Sequence, residues 1–139
     1  MSKYVFDTSA LLAYIENEEG AELVENLLMK ALAGTEDISI SIVSSIEVFY
    51  ISIQEQGMKT AEDRFRLIED LPLMQEPLSA NHIKITGEIK SRKAMSFADS
   101  CIAGLAKLKG AILVHKDPEF EQVENEIEQL KLPYKISMR

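Results

Sequence analysis

Short apolar segments typical of buried strands alternate along this chain with longer segments of helical periodicity. Strand patterns occur at residues 3–6 and in the segments DISISI and AILV, and a helix pattern follows each of them. Strands that alternate with helices form a mainly parallel sheet with right-handed crossovers. The sequence therefore predicts an α/β fold with three layers, in which helices cover both faces of a mainly parallel five-stranded sheet.

Capping and turn residues place the boundaries of the predicted elements. Ser96 is a good N-cap and Gly110 a good C-terminal stop for one helix, and Asp117 followed by Pro118 is typical of another helix start. Seven helices are predicted: from Ser9, over residues 23–32, from Ser44 or Ser45 to Gly57, over 59–70, from Ser79, between Ser96 and Gly110, and over 117–127. Two further strands are predicted, one at a sheet edge within residues 71–77 and one at 134–137.

Length and composition predict a single domain over residues 1–139. No apolar stretch approaches the roughly 20 residues that a membrane span needs. The N-terminus lacks the basic start and long apolar region of a secretory signal, and one cysteine, Cys101, cannot form an internal disulfide. We therefore expect a cytoplasmic protein in which Cys101 is a core residue.

The net charge of −8 argues against diffuse attraction to nucleic acid. The charge is uneven, however, because residues 84–116 contain seven basic and two acidic side chains and carry +5. A basic face around Lys90, Arg92 and Lys93 can bind an anion, although a solvated helix surface explains the same pattern.

Four carboxylates occupy comparable positions in the predicted fold. Asp7 follows the first strand and Asp117 follows AILV, while Glu47 and Asp99 lie in the first turns of helices. Strand ends and helix starts meet at one edge of a parallel sheet, so these side chains are expected to converge. Converging carboxylates repel one another unless a cation joins them, and Mg²⁺ or Mn²⁺ prefers such oxygen ligands.

Each aspartate also has a structural interpretation. Asp7, Asp99 and Asp117 can each stabilise a helix N-terminus through capping or the helix dipole. Glu47 fits this interpretation least, because it lies in an otherwise apolar helical turn, where an unpaired buried carboxylate is costly.

Four segments carry a family resemblance: FDTSALLAYIE, SSIEVFY, SFADSCIAGLAK and LVHKDPEF. In this order they resemble the successive acidic motifs of the PIN-domain nucleases, most closely the VapC-type toxins of prokaryotic toxin–antitoxin pairs. The resemblance extends over essentially the whole chain. It implies a PIN-like fold and a metal-dependent endoribonuclease that leaves a 5′-phosphate and a 3′-hydroxyl.

The resemblance also implies roles for particular residues. The family's acidic catalytic residues are matched by Asp7, Glu47, Asp99 and Asp117. The expected ligands of Mg²⁺ or Mn²⁺ are Asp7, Asp99 and Asp117, and Glu47 is expected to orient the attacking water or a second ion. The family's hydroxyl after the first aspartate is matched by Thr8 or Ser9. The chain differs from the family at His115, where Thr or Ser is frequent. That difference leaves open whether a polar contact beside Asp117 is retained.

The partners implied by the resemblance are an RNA substrate, a second copy of the chain in a homodimer, and a small antitoxin that places a basic side chain near the acidic site. An RNA-processing nuclease without an antitoxin and a noncatalytic binding module are the alternatives. An aspartyl phosphatase is disfavoured because Ser9 stands where that class has a second aspartate, and a receiver domain is disfavoured because Asp7 lacks a paired acid.

Overall fold

The structure is a computed structural model that describes residues 1–133, so the strand predicted at 134–137 lies outside the described residues. The single domain predicted for residues 1–139 stays a prediction. Within residues 1–133, no helix combines the length and apolar character that a membrane crossing requires. The elements are β1 (Ser2–Phe6), α1 (Thr8–Ile15), α2 (Ala21–Leu32), β2 (Glu36–Ser41), α3 (Ile42–Gln56), α4 (Met58–Asp70), β3 (Met74–Glu76), α5 (His82–Arg92), α6 (Phe97–Lys109), β4 (Ile112–His115), a 3-10 helix (Pro118–Val123) and β5 (Gln129–Lys131).

The five strands form one sheet in the order β3-β2-β1-β4-β5, and every pair of neighbours is parallel. In the centre, Phe6 of β1 lies opposite Ile40 of β2 and Val114 of β4. β3 lies at an edge, as predicted from the prolines near it. The predicted parallel five-stranded α/β fold is confirmed.

Both faces of the sheet are buried under helices. Successive residues of a strand point to opposite faces, and accordingly Val5 and Phe6 belong to different apolar clusters. The Phe6 cluster includes side chains of α1 to α4, whereas the Val5 cluster includes side chains of α5, α6 and the 3-10 helix. Cys101 of α6 is buried, as predicted. Two cores on either side of one sheet give the three predicted layers.

The two predicted ends of α6 are confirmed. The Ser96 hydroxyl accepts a hydrogen bond from the Asp99 amide at 3.1 Å, and Gly110 ends the helix in the left-handed region with φ +61°. These ends fix the direction in which α6 enters β4. Its N-terminus therefore lies at the edge of the sheet where the strands end.

Three predicted boundaries are wrong. α3 begins at Ile42, directly after β2, and its N-cap is Ser41, whose hydroxyl accepts the Val43 amide at 3.1 Å. α5 begins at His82 and is not capped by Ser79, whose hydroxyl donates to Asn81 Oδ1. The helix predicted over 117–127 is only a 3-10 helix of six residues.

Candidate active site

The acidic residues gather at the carboxyl edge of the sheet. The strand after β1 in the chain, β2, lies on one side of β1, and the strand after β4, β5, lies on the other side of β4. The connections that leave β1 and β4 therefore run in opposite directions, which makes the gap between these two strands a topological switch point. In open parallel sheets this crevice is where ligands bind. Asp7 leaves β1 here, Asp117 follows β4, and Asp99 lies in the first turn of α6.

Asp7 is held rigidly in this crevice. Its amide donates to the Val114 carbonyl at 3.1 Å, which extends the pairing of β1 with β4 by one residue. Its carboxylate accepts the Ala10 amide and the Ser9 hydroxyl, both at 2.8 Å on Oδ1. The side chain is only 2% exposed. Asp7 is therefore both the N-cap of α1 and a buried member of the acidic site.

Ser9 joins the two strands that flank the site. Its hydroxyl donates to the Asp7 carboxylate and accepts the Lys116 amide at 2.8 Å. Because Lys116 precedes Asp117, this bridge fixes the loop after β4 relative to Asp7. Ser9 thus contacts both Asp7 and the segment that leads to Asp117, and its support of the site stays a prediction.

Glu47 reaches the same region through Thr8. The Thr8 hydroxyl donates to Glu47 Oε1 at 2.6 Å, and both side chains are at least partly buried. This bond joins α3 to the first residue of α1. It leaves the other Glu47 oxygen available to a ligand.

Asp99, Asp117 and Glu119 form a compact group of carboxylates. One oxygen from each lies within 4.8 Å of the others. Glu119 was not predicted as a site residue, because the helix pattern over 117–127 carries no further site signal. The available signal was its place just after Asp117 and Pro118, where the first turn of a helix stays close to the residue that caps it.

The acidic groups influence one another's ionisation. Burial raises the pKa of Asp7 to about 7, against the effect of its hydrogen bonds from Ser9 and Ala10, and the charge of Asp117 raises it further. Burial also raises the pKa of Asp99 to about 8, and the charges of Asp117, Glu119 and Asp7 add to this increase. Burial is thus the main cause of both increases, and the neighbouring carboxylates add to it.

No side-chain cation compensates this charge within residues 1–133. In that range neither Asp7 nor Glu47 takes part in an ion pair, and the same holds for Asp99, Asp117 and Glu119. A set of partly buried oxygen donors with excess negative charge fits a hard divalent cation. The residues at this edge therefore suit a metal ion.

His115 supports the backbone of Asp117. The ring is fully buried, its Nδ1 accepts the Asp117 amide at 3.1 Å, and its Nε2 lies 2.8 Å from Gln129 Oε1. Because Nδ1 accepts, Nε2 carries the proton and donates to Gln129; burial lowers the pKa of His115, which favours this neutral form. A Thr or Ser hydroxyl accepts the amide two residues on in the same way. The polar contact beside Asp117 is therefore retained despite the different residue type.

The basic stretch is largely engaged with acidic side chains elsewhere. Arg92 and Lys107 both bind Glu126, each with a contact of 2.7 Å, and these bonds lower the pKa of Glu126 to about 2. Lys109 binds Glu76 at 3.0 Å. Lys84, Lys90 and Lys93 form no ion pair with any part of the chain that the structure describes. The positive charge of the predicted basic face is thus partly neutralised, because Arg92 is paired with Glu126.

The fold and the acidic edge define an α/β protein with a candidate metal site at its switch point. The sequence matches the PIN domain family over residues 4–126. This match extends over most of the chain, and the chain belongs to the PIN-domain family. The resemblance found in the sequence is confirmed. No curated protein sequence gave a match.

Several solved structures share the fold. VapBC2 from Rickettsia felis, bound to a DNA fragment from its promoter, has a TM-score of 0.76 and 18% identity, covering 94% of this chain and 99% of that chain. DNA-bound VapBC from Salmonella typhimurium has a TM-score of 0.75 and 19% identity, covering 94% and 98%. VapC20 from Mycobacterium tuberculosis, a toxin that cleaves the sarcin–ricin loop, has a TM-score of 0.67 and 16% identity, covering 86% and 94%.

Proposed function

We propose that this chain is a metal-dependent endoribonuclease and the toxin of a toxin–antitoxin pair. The observation that carries the proposal is the uncompensated group of carboxylates at the switch point of a PIN-domain fold. The similar solved structures support it, because they include VapBC complexes and a toxin that cleaves the sarcin–ricin loop. We further propose that it acts in the cytoplasm.

In this proposal Asp7, Asp99 and Asp117 hold Mg²⁺ or Mn²⁺. When bound, the ion supplies positive charge opposite the scissile phosphate and acidity to a coordinated water. Ser9 and His115 keep the first and last of these aspartates in place through the bonds described above. Glu47, which accepts a hydrogen bond from Thr8, would orient the attacking water or help to hold a second ion.

The proposed protein partners are a second copy of the chain and an antitoxin. Met29 and Leu32 on α2 are 61% and 78% exposed, which supports a protein contact on this helix. A basic antitoxin side chain that enters the acidic site would compete with the metal ion. Such competition provides a simple means of inhibition.

The full chain should cleave RNA only when Mg²⁺ or Mn²⁺ is present. We expect EDTA to abolish cleavage and excess Mn²⁺ to restore it, with products that carry a 5′-phosphate and a 3′-hydroxyl. Mapping both ends of a labelled structured RNA measures this directly. Cleavage that persists in EDTA would contradict the metal-dependent mechanism.

Expression in cells distinguishes the toxin from the alternatives. We expect induced expression to arrest growth, and coexpression of the neighbouring gene to relieve the arrest. Metal-dependent cleavage without growth arrest would instead identify an RNA-processing nuclease. If the chain neither cleaves RNA nor arrests growth, the noncatalytic binding module is the remaining alternative.

Replacing His115 tests its support of Asp117. His115→Ala removes a buried ring and the acceptor of the Asp117 amide, and we expect a loss of about 2–4 kcal/mol in unfolding free energy together with weaker Mn²⁺ binding. His115→Thr also leaves a cavity but restores an acceptor for the same amide. Urea denaturation and calorimetric Mn²⁺ titration should therefore show two destabilised variants, of which only the alanine variant loses much affinity. Equal Mn²⁺ affinity in both variants would argue against the support role.

A further inference from the structure

The start of α6 contains an incomplete capping box. Ser96 and Asp99 have the spacing of this motif, and the Ser96 hydroxyl accepts the Asp99 amide at 3.1 Å. In the complete motif the carboxylate three residues after the cap turns back and accepts the amide of the capping residue. Asp99 would then direct its carboxylate toward Ser96.

In this protein Glu119 takes that place. The Ser96 amide donates to Glu119 Oε1 at 2.8 Å, from a residue that is distant in sequence and belongs to the 3-10 helix. Within residues 1–133, no hydrogen bond joins the Asp99 carboxylate to the Ser96 amide. The Asp99 carboxylate instead lies within 4.8 Å of the carboxylates of Asp117 and Glu119.

We propose that Glu119 is a positioning residue for Asp99: it occupies the capping partner that Asp99 would otherwise bind and so keeps the Asp99 carboxylate directed into the acidic site. This inference rests on the proposed function in that Asp99 is taken there as a metal ligand. Without Glu119, Asp99 gains both a free amide to bind and a way to leave the repulsive group. The short distance between the carboxylates makes that movement favourable when no cation is bound.

A matched pair of variants separates positioning from direct metal binding. Glu119→Gln and Glu119→Ala remove the same charge, but only glutamine keeps an oxygen that can accept the Ser96 amide. We expect Mn²⁺ affinity, measured calorimetrically on the full chain, to fall about 10-fold or more in Glu119→Ala and clearly less in Glu119→Gln. If Glu119 ligates the ion itself, the two variants lose affinity equally, and that result overturns the proposal. Unchanged affinity in both overturns it as well.

A double-mutant cycle on stability tests the same exchange without metal. In the wild-type background Asp99→Ala removes a side chain that the acidic neighbours repel once it is ionised, so the melting temperature measured in EDTA at pH 9 should not fall. In the Glu119→Ala background Asp99→Ala removes the replacement cap, and we expect a melting temperature lower by roughly 2–6 °C. Additive effects of the two substitutions contradict the proposal.

Failure of the positioning role and failure of the nuclease proposal give different results. If the wild-type chain cleaves RNA but the two Glu119 variants bind Mn²⁺ alike, the function stands and the positioning role fails. If the Mn²⁺ difference and the stability cycle are found but no RNA is cleaved, the positioning role stands and the function fails. The readouts of binding and melting therefore decide the inference without an activity assay.

Discussion

The Asp7→Asn variant is expected to lose RNA cleavage by about 10³-fold or more, which corresponds to roughly 4 kcal/mol of transition-state stabilisation. Asparagine has the same shape and can keep the hydrogen bonds from Ala10 and Ser9. It lacks the negative charge that a metal ligand at this position supplies. The measurement is the single-turnover cleavage rate in Mn²⁺.

The same substitution should stabilise the metal-free protein. The pKa of Asp7 is raised to about 7 from 3.8, a shift of about three units that corresponds to roughly 4 kcal/mol at high pH. Asparagine removes this cost but needs its own hydrogen bonds, so we expect a gain on the order of 2 kcal/mol. Urea denaturation in EDTA at pH 8 measures it.

Asp37→Asn is the matched control for Asp7→Asn. Asp37 is exposed near the start of β2, at the opposite edge of the sheet, and the substitution changes the net charge by the same amount. Its cleavage rate and stability should stay close to wild type. If Asp7→Asn cleaves RNA at the wild-type rate, Asp7 is not a metal ligand. If the variant loses both activity and stability, the cause is a folding defect instead.

Sequence patterns were sufficient for the layers and strand direction, because buried strands and amphipathic helices leave periodic apolar residues. The boundary between β2 and α3 was missed because its β-branched residues suit a strand and a helix alike. Ser79 has good capping chemistry, yet the structure uses it in a turn that binds His82. The helix-capping propensity of a serine does not predict which nearby group its side chain will bind.

The convergence of Asp7, Asp99 and Asp117 followed from topology alone, because strand ends and helix starts share one edge. The contact between Ser96 and Glu119 depends on how the 3-10 helix packs against α6, and no local pattern encodes it. Charge counting likewise found the basic stretch but could not assign Glu126 to Arg92 and Lys107. Long-range side-chain pairing is thus the part that sequence reasoning could not reach.

Capping and catalysis were treated as competing interpretations of the aspartates, but in the structure one side chain both caps a helix and belongs to the acidic group. Asp117 accepts the Glu119 amide through Oδ1 at 2.9 Å while its carboxylate stays close to Asp99. A carboxylate has two oxygens, so one can hold the helix start while the other faces a cation. The cap then serves to fix the geometry of the site.

The stability of the metal-free protein should fall as pH rises from 6.5 to 8.5. Asp7 and Asp99 have pKa values of about 7 and about 8 in the folded state, above their ordinary value of 3.8, so the folded protein holds protons that the unfolded chain has lost. Their stabilising contribution is complete below about pH 4 and is lost as the pH passes the folded-state values. Because Asp99 is partly exposed, we expect a total loss of only about 1–2 kcal/mol over this range.

This pH range separates the acidic site from other titrating groups. Burial lowers the pKa of His115, which acts with the opposite sign but below its ordinary value of 6.5, and Glu126 titrates near 2. Mn²⁺ replaces the protons on Asp7 and Asp99, so its affinity should increase about 10-fold or more from pH 6.5 to 8.5, and saturating Mn²⁺ should flatten the stability curve. Asp7→Asn should reduce the slope measured in EDTA. A metal-free stability that is constant or rises across this range would show that the carboxylates are not held protonated together, and the case for a cation at this edge would lose its physical basis.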